Sequence, residues 1–289
     1  MKYLDDIEIW LKKLKSGDPS EILSQNDLTE WNLMSSEERG EKLKALLQKP
    51  VADFSVIYRW YFRMKWFEAL NKTGLKSPVS LLEIGAGDTD MLPQILAKRF
   101  GHPETQYITA NMNKRLTASF KAKTKNLAIK INVIEDAAQN LEEHINGEKF
   151  DVIVFEHSVN DILQVLLAER AGMDTIHTDW YQILPGMIEL IKQEYLNGTL
   201  EASVKGELTG LLESCLKLLK PGGYIIINHF MYQYDLDLGY DPELWCNMLP
   251  ITRQWISGID AGTERLFEGF EPQWWMFFQK NKFHFDAVK

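Results

Sequence analysis

Two hydrophobic rhythms divide the chain near residue 75. Upstream, apolar side chains recur every three to four positions, the period of amphipathic helices. SSEERGEKLKALLQ opens with Ser35 three residues before Glu38, a capping-box spacing, and stops ahead of Lys49-Pro50, where proline ends a helix. The next helix is expected over residues 51–70, VADFSVIYRWYFRMKWFEAL, with Phe54, Ile57, Tyr61, Met64 and Phe67 on one stripe and Tyr58, Trp60 and Trp66 beside it. A face this apolar must be buried. Residues 1–75 therefore read as a helical N-terminal cap, and residues 71–78, with Gly74 and Pro78, break the pattern.

Downstream the rhythm changes to short aliphatic runs: VSLLEI, TQYITA, AIKINVI, FDVIVF and GYIIINHF. Their unbroken apolar character predicts strands covered on both faces, as in a parallel sheet. Helices expected over 89–100, 113–124 and 138–145 alternate with the first four runs, the pattern of a doubly wound α/β domain. Residues 158–220 exceed what one crossover needs and predict a helical insertion of three helices, the last (LTGLLESCLKLLK) ahead of Pro221-Gly222-Gly223. RLFEGF and WWMFFQK are expected to close the sheet as an antiparallel edge pair, which makes seven strands in residues 76–289. Residues 231–262 read as a loop rich in tryptophan and tyrosine.

Composition narrows the function classes. The 289 residues are 45% hydrophobic and 25% charged, ordinary for a soluble globular protein. A net charge of −9 argues against nucleic acid as the main partner. The basic run KRLTASFKAKTK reads as a solvated helix face. Cys215 and Cys246 stand apart, with no clustered histidines, so neither a disulfide framework nor a metal site is expected. MKYLDDIEIWLKKLK lacks the continuous apolar core of a signal peptide, and no run approaches bilayer-spanning length. The expectation is a cytoplasmic protein without a membrane partner.

In doubly wound sheets ligands sit beyond the carboxyl ends of the strands, beside the first one. That place falls to LLEIGAGDTDML, where Gly85 and Gly87 permit a sharp turn and close ligand approach. A dinucleotide fingerprint would need glycine at Asp90, and Asp88 and Asp90 would repel a pyrophosphate. Glu83 instead suits a ligand carrying an ammonium group.

Glu83-Ile84-Gly85-Ala86-Gly87-Asp88-Thr89 resembles the first motif of the class I S-adenosylmethionine-dependent methyltransferases, E/D-x-G-x-G-x-G, with Thr89 in place of the third glycine. The resemblance extends over roughly residues 79–280, through YITANMNKRL, VIEDAAQNL, FDVIVFEHSV and LKLLKPGGYIIINH. It implies S-adenosyl-L-methionine as cofactor. Asn111 stands where the family holds the ribose hydroxyls with an acid, and Asp136-Ala137 where an acidic-small pair contacts adenine. Asp136 also has N-cap chemistry, and Met112 either covers the adenine or packs in the core. N-terminal helices cover the cofactor in related enzymes, which makes Tyr58, Tyr61 and Arg63 candidate contacts.

FEHSVNDIL, at the end of the fourth run, turns abruptly polar. Glu156 falls beside the cofactor, and His157 is the candidate general base or merely a wall of the acceptor pocket. Ser158, three residues before Asp161, has capping spacing. Asn160 and Asp161, with His229, Tyr232 and Tyr234 after the fifth run, are candidate substrate contacts. The resemblance implies methyl transfer to a nitrogen or oxygen of a small molecule. Aminopropyl transfer or rearrangement on the same fold, or a non-catalytic cofactor-binding partner, are the alternatives.

Overall fold

The computed structural model describes residues 2–49, 51–145, 147–259 and 262–282, with backbone only at residues 2–6. The chain begins with α1 (Lys2–Ser16), α2 (Gln25–Leu33), α3 (Ser36–Gln48), β1 (Val51–Ala52) and α4 (Val56–Lys72). It continues through β2 (Ser80–Ile84), α5 (Met91–Arg99), β3 (Gln106–Ala110), α6 (Lys114–Thr124), β4 (Lys130–Ile134), α7 (Leu141–His144) and β5 (Phe150–Glu156). Three helices follow, α8 (Val159–Arg170), α9 (Trp180–Leu196) and α10 (Leu200–Leu218). The remainder is β6 (Leu219–Asn228), β7 (Met231–Tyr232), α11 (Gln233–Asp237), α12 (Pro242–Ile256), β8 (Gly262–Glu264) and β9 (Trp275–Lys280).

The seven-stranded sheet has the order β4-β3-β2-β5-β6-β9-β8. Strands β4 to β6 pair in parallel, and β9 is antiparallel to both β6 and β8. This is the α/β fold that the class I resemblance implies. The expected edge pair needs correction in register: β8 precedes RLFEGF and forms the edge, while the antiparallel strand β9 lies one place inward. The central strands are covered on both faces, with Leu81, Leu82, Ile153, Val154 and Ile226 at 0% exposure.

Two further expectations fail locally. Residues 1–75 are not helical throughout, because Val51 and Ala52 pair in parallel with Met231 and Tyr232. Helix α4 consequently starts only at Val56, with the Ser55 hydroxyl accepting from the Tyr58 N–H. Nor is its buried face the single stripe expected. Val56, Ile57 and Trp60 pack with Trp10, Trp31 and Leu43 in the cap, whereas Tyr58, Phe62, Trp66 and Leu70 join the core of the sheet. A helix shared between two cores is buried on more than one side. Residues 231–262 are also not simply a loop: Asp241 caps α12 by accepting from the Glu243 and Leu244 N–H groups, and Leu244, Trp245, Met248 and Leu249 are fully buried.

Candidate active site

The strand order reverses between β2 and β5, and a cleft opens there at the carboxyl ends of β2 to β5. Its cavity volume is about 250 Å³, just under the roughly 300–1,000 Å³ typical of a site for one small ligand. Gly85 and Gly87, at φ 72° and 59°, form the turn after β2. A Cβ on Gly85 would meet the Ser158 Cβ at 3.2 Å, so backbone and ligand approach closely only because glycine is there. Asn111 pins the turn: its side-chain amide donates to the Gly87 carbonyl at 2.6 Å. A carboxylate could not make this bond, which gives the amide at this position a physical reason.

At the opposite wall β5 ends in Glu156, paired in register with Asn228 of β6. His157 then takes φ 53°, a left-handed conformation that costs a non-glycine residue of order 1–3 kcal/mol unless its surroundings enforce it. Asn228 enforces it, accepting from the His157 N–H through both its side-chain Oδ1 (3.0 Å) and its backbone carbonyl (3.1 Å). The imidazole Nδ1 accepts from the Phe230 N–H at 3.2 Å, and burial pulls its pKa down to about 3. The ring is therefore neutral with its proton on Nε2. This corrects the general-base expectation, because Nδ1 is taken up by the Phe230 N–H and Nε2 carries the proton, so the ring offers the cleft an N–H and no lone pair.

The strained turn also overturns the capping role of Ser158. Its backbone is helical (φ −98°, ψ −7°), not extended, and its side chain makes no cap hydrogen bond. An N-cap needs the extended conformation to aim its oxygen back at the helix. The Ser158 Oγ instead remains buried without a partner, against Gly85.

Among the described residues, five carboxylates and no lysine or arginine line the cleft. Two are already matched: Asp88 binds Lys123 at 2.6 Å and Ser119 at 3.0 Å, and Asp136 accepts from Ala137 N–H (2.7 Å) and Asn140 (3.0 Å) and meets His144 Nε2 at 2.8 Å. Lys121 pairs likewise with Glu135, so the basic run is partly neutralised. The other three have no cationic partner among the described residues. Burial raises Glu156 to about 7, with the Trp66 indole opposing. Burial and the charges of Asp235 and Glu156 raise Asp161 to about 8, and burial raises Asp235 to about 7. Asp161 keeps partial exposure to the cleft, so water tempers its shift.

Of the candidates, Gly85, Gly87, Asn111, Met112, Asp136, Glu156, His157, Asn160, Asp161, Tyr232 and Tyr234 meet on this wall. Others do not. Glu83 lies beneath the turn at 1% exposure, its Oε2 accepting from Tyr107 OH at 2.5 Å and its carboxyl held far above the usual range by burial. Ala137 yields its place to Ala138. His229 is buried behind His157, the rings stacked at 4.9 Å. Tyr61 lines a separate cavity, 4.7 Å from the Trp10 ring, and Arg63 turns to Asp27 at 2.6 Å.

The N-terminal segment reaches the cleft through Phe54 instead, which stacks on Tyr232 at 4.7 Å while Tyr58 and Tyr232 share a 2.6 Å hydrogen bond. Sequence reading missed Phe54, Trp180, Tyr181 and Asp235 on the cleft wall. Among the described residues no cluster of three or more His, Cys, Asp or Glu is placed to hold a metal ion, and no helix is long and apolar enough to cross a membrane.

No family model matches the sequence, and no curated protein matches it. Among solved structures, the chain is similar to a putative rRNA methylase from Clostridium thermocellum at 14% identity, over 75% of this chain and 96% of that one, with a TM-score of 0.45. It is also similar to a methyltransferase from Pyrococcus furiosus (15% identity, 76% and 83% covered, TM-score 0.40). A third is an S-adenosylmethionine-dependent methyltransferase from Geobacter sulfurreducens in complex with S-adenosyl-L-homocysteine (16% identity, 62% and 49% covered, TM-score 0.36). Likenesses this distant decide neither ligand nor acceptor.

Proposed function

We propose that the protein is an S-adenosyl-L-methionine-dependent methyltransferase acting on a nitrogen or oxygen of a small molecule. One observation carries the reading: the cleft at the switch point joins an open glycine turn to a wall with five carboxylates and, among the described residues, no lysine or arginine. Such a wall offers a phosphate no cation, which disfavours dinucleotides and nucleic-acid backbones, and gives the ammonium and sulfonium of a cationic ligand carboxyls that ionise against them. The orphaned Ser158 hydroxyl against Gly85 is a further sign that this end is completed by a bound molecule.

Gly85, Gly87, Asn111, Met112 and Asp136 would hold the adenosyl part, and Glu156 the ammonium of the methionine part. When bound, the cofactor would supply an electrophilic methyl carbon to the acceptor's lone pair, with the thioether sulfur as leaving group. The chain's own residues position the acceptor, exclude water and take a proton. His157 gives a hydrogen bond from Nε2 to orient the acceptor, and a carboxylate near neutral pKa is the base. Incubation with methyl-labelled S-adenosyl-L-methionine and a metabolite extract is expected to label a small molecule. Label on RNA alone, transfer of a different group, or binding without turnover on any extract would replace this reading.

A further inference from the structure

The outer end of the cleft holds more acceptor capacity than the cofactor uses. Asp161, in the first turn of α8, and Asp235, in α11, lie close enough for the charge of one to act on the other. Among the described residues neither has a cationic partner, and the only side-chain hydrogen bond to Asp161 comes from the Asn160 amide at 2.9 Å. That bond uses one of the amide's two N–H donors and turns the group's nitrogen toward Asp161. Asn160 lines the cleft at 2% exposure with its Oδ1 unpartnered. Beside these oxygens Tyr181 and Tyr234 set their rings 6.0 Å apart at 79°, half-open at the mouth.

We propose that Asp161, Asp235 and the Asn160 carbonyl form an ammonium subsite, so that the methyl acceptor is an aliphatic amine entering in its protonated form. This rests on the methyltransferase reading above. Two carboxylates without a cationic partner among the described residues and an unpartnered amide oxygen match the N–H groups of an ammonium. An alcohol would leave two carboxylates unmatched, and a carboxylate or phosphate would be repelled. The Tyr181 and Tyr234 rings flank the alkyl chain and offer their faces to the cation. Asp161 takes one proton from the ammonium, becoming a carboxylic acid, and the nitrogen keeps the lone pair of the broken N–H bond as a neutral nucleophile. The acid then releases that proton to solvent at the mouth. Asp235 stays as counter-ion to the positive charge that the nitrogen regains on methylation.

The test is calorimetric titration of the protein, saturated with S-adenosyl-L-homocysteine, at pH 8.5. The probes are 1-aminobutane, 1,4-diaminobutane and 2-phenylethylamine, each beside the alcohol of the same carbon frame. At least one amine is expected to bind tenfold or more tightly than its alcohol. The preference is expected to fall within twofold in Asp161→Asn/Asp235→Asn, with S-adenosyl-L-homocysteine affinity unchanged within threefold. If the double variant fails to fold, Asp235→Asn alone gives the same comparison. No binding by any amine, equal binding of alcohols, or a preference that survives the substitutions overturns the subsite. Failure of S-adenosyl-L-homocysteine to bind the unmodified protein instead removes the methyltransferase reading beneath it.

Discussion

At the glycine-turn end of the cleft, polar groups are spent on the protein itself: Asp88 on Lys123, Asn111 on the Gly87 carbonyl, Asp136 on Asn140 and His144. At the other end Glu156, Asp161 and Asp235 have no cationic partner among the described residues and Asn160 keeps a buried oxygen without a partner, while the unpartnered Ser158 hydroxyl lies between the two ends, against Gly85. The first end is cross-linked by its own hydrogen bonds and ion pairs before anything binds. The second is electrostatically incomplete, and buried unmatched carboxyls answer by holding protons near neutral pH. A preorganised cradle beside an unsatisfied pocket suits an enzyme whose cofactor is fixed and whose acceptor must be drawn in and deprotonated.

Three changes probe this contrast, in falling order of effect. His157→Asn keeps a residue that tolerates positive φ but removes the Nε2 donor; misplacing the acceptor is expected to lower kcat by about 10²-fold. Its kcat–pH profile should keep the inflection of the native protein, whereas loss of that inflection would return the base to His157. Asn111→Asp sets a carboxylate against the Gly87 carbonyl and is expected to cost about 1–3 kcal/mol, read as a weaker affinity for S-adenosyl-L-homocysteine with little change in amine binding. Equal loss at both ends would erase the distinction between them.

The smallest effect is on stability. Carboxyls raised in the folded state to about 7 and 8 make it bind more protons than the unfolded chain, so they remove stability as pH rises. His157, lowered to about 3, works oppositely but only below its ordinary pKa. Between about pH 6.5 and 8.5 the carboxyls act alone, and Tm of the ligand-free protein is expected to fall by roughly 2–4 °C. The fall should shrink in Asp161→Asn/Asp235→Asn; a rising Tm would show that these carboxyls are ionised and matched.

The same contrast explains what was legible in the sequence. The cradle was readable because one stretch, residues 83–90, supplies strand, turn and helix start, and the strand runs announce the sheet. Asn111 lines the cleft, but its bond to Gly87 depends on a turn 24 residues away. The acceptor end was scarcely readable. Phe54 and Tyr232 meet through a parallel pairing of only two residues per strand, too short to leave a pattern. Ser158 satisfied the capping rule in spacing and failed it in conformation, because His157 before it occupies a positive φ held by a residue in β6. One miss was avoidable: Asp241-Pro242-Glu243 is an N-cap, proline and first-turn acid, and it marks α12.

The claim that the glycine turn seats an adenosyl ligand is tested most directly by calorimetric titration of the unmodified protein and of Gly85→Val with S-adenosyl-L-homocysteine. A valine Cβ there would face both the positive φ and the Ser158 contact at 3.2 Å. The account predicts saturable binding at one site per chain, lost in Gly85→Val while circular dichroism shows the fold retained. No binding to the unmodified protein, or equal binding by the folded variant, would contradict it.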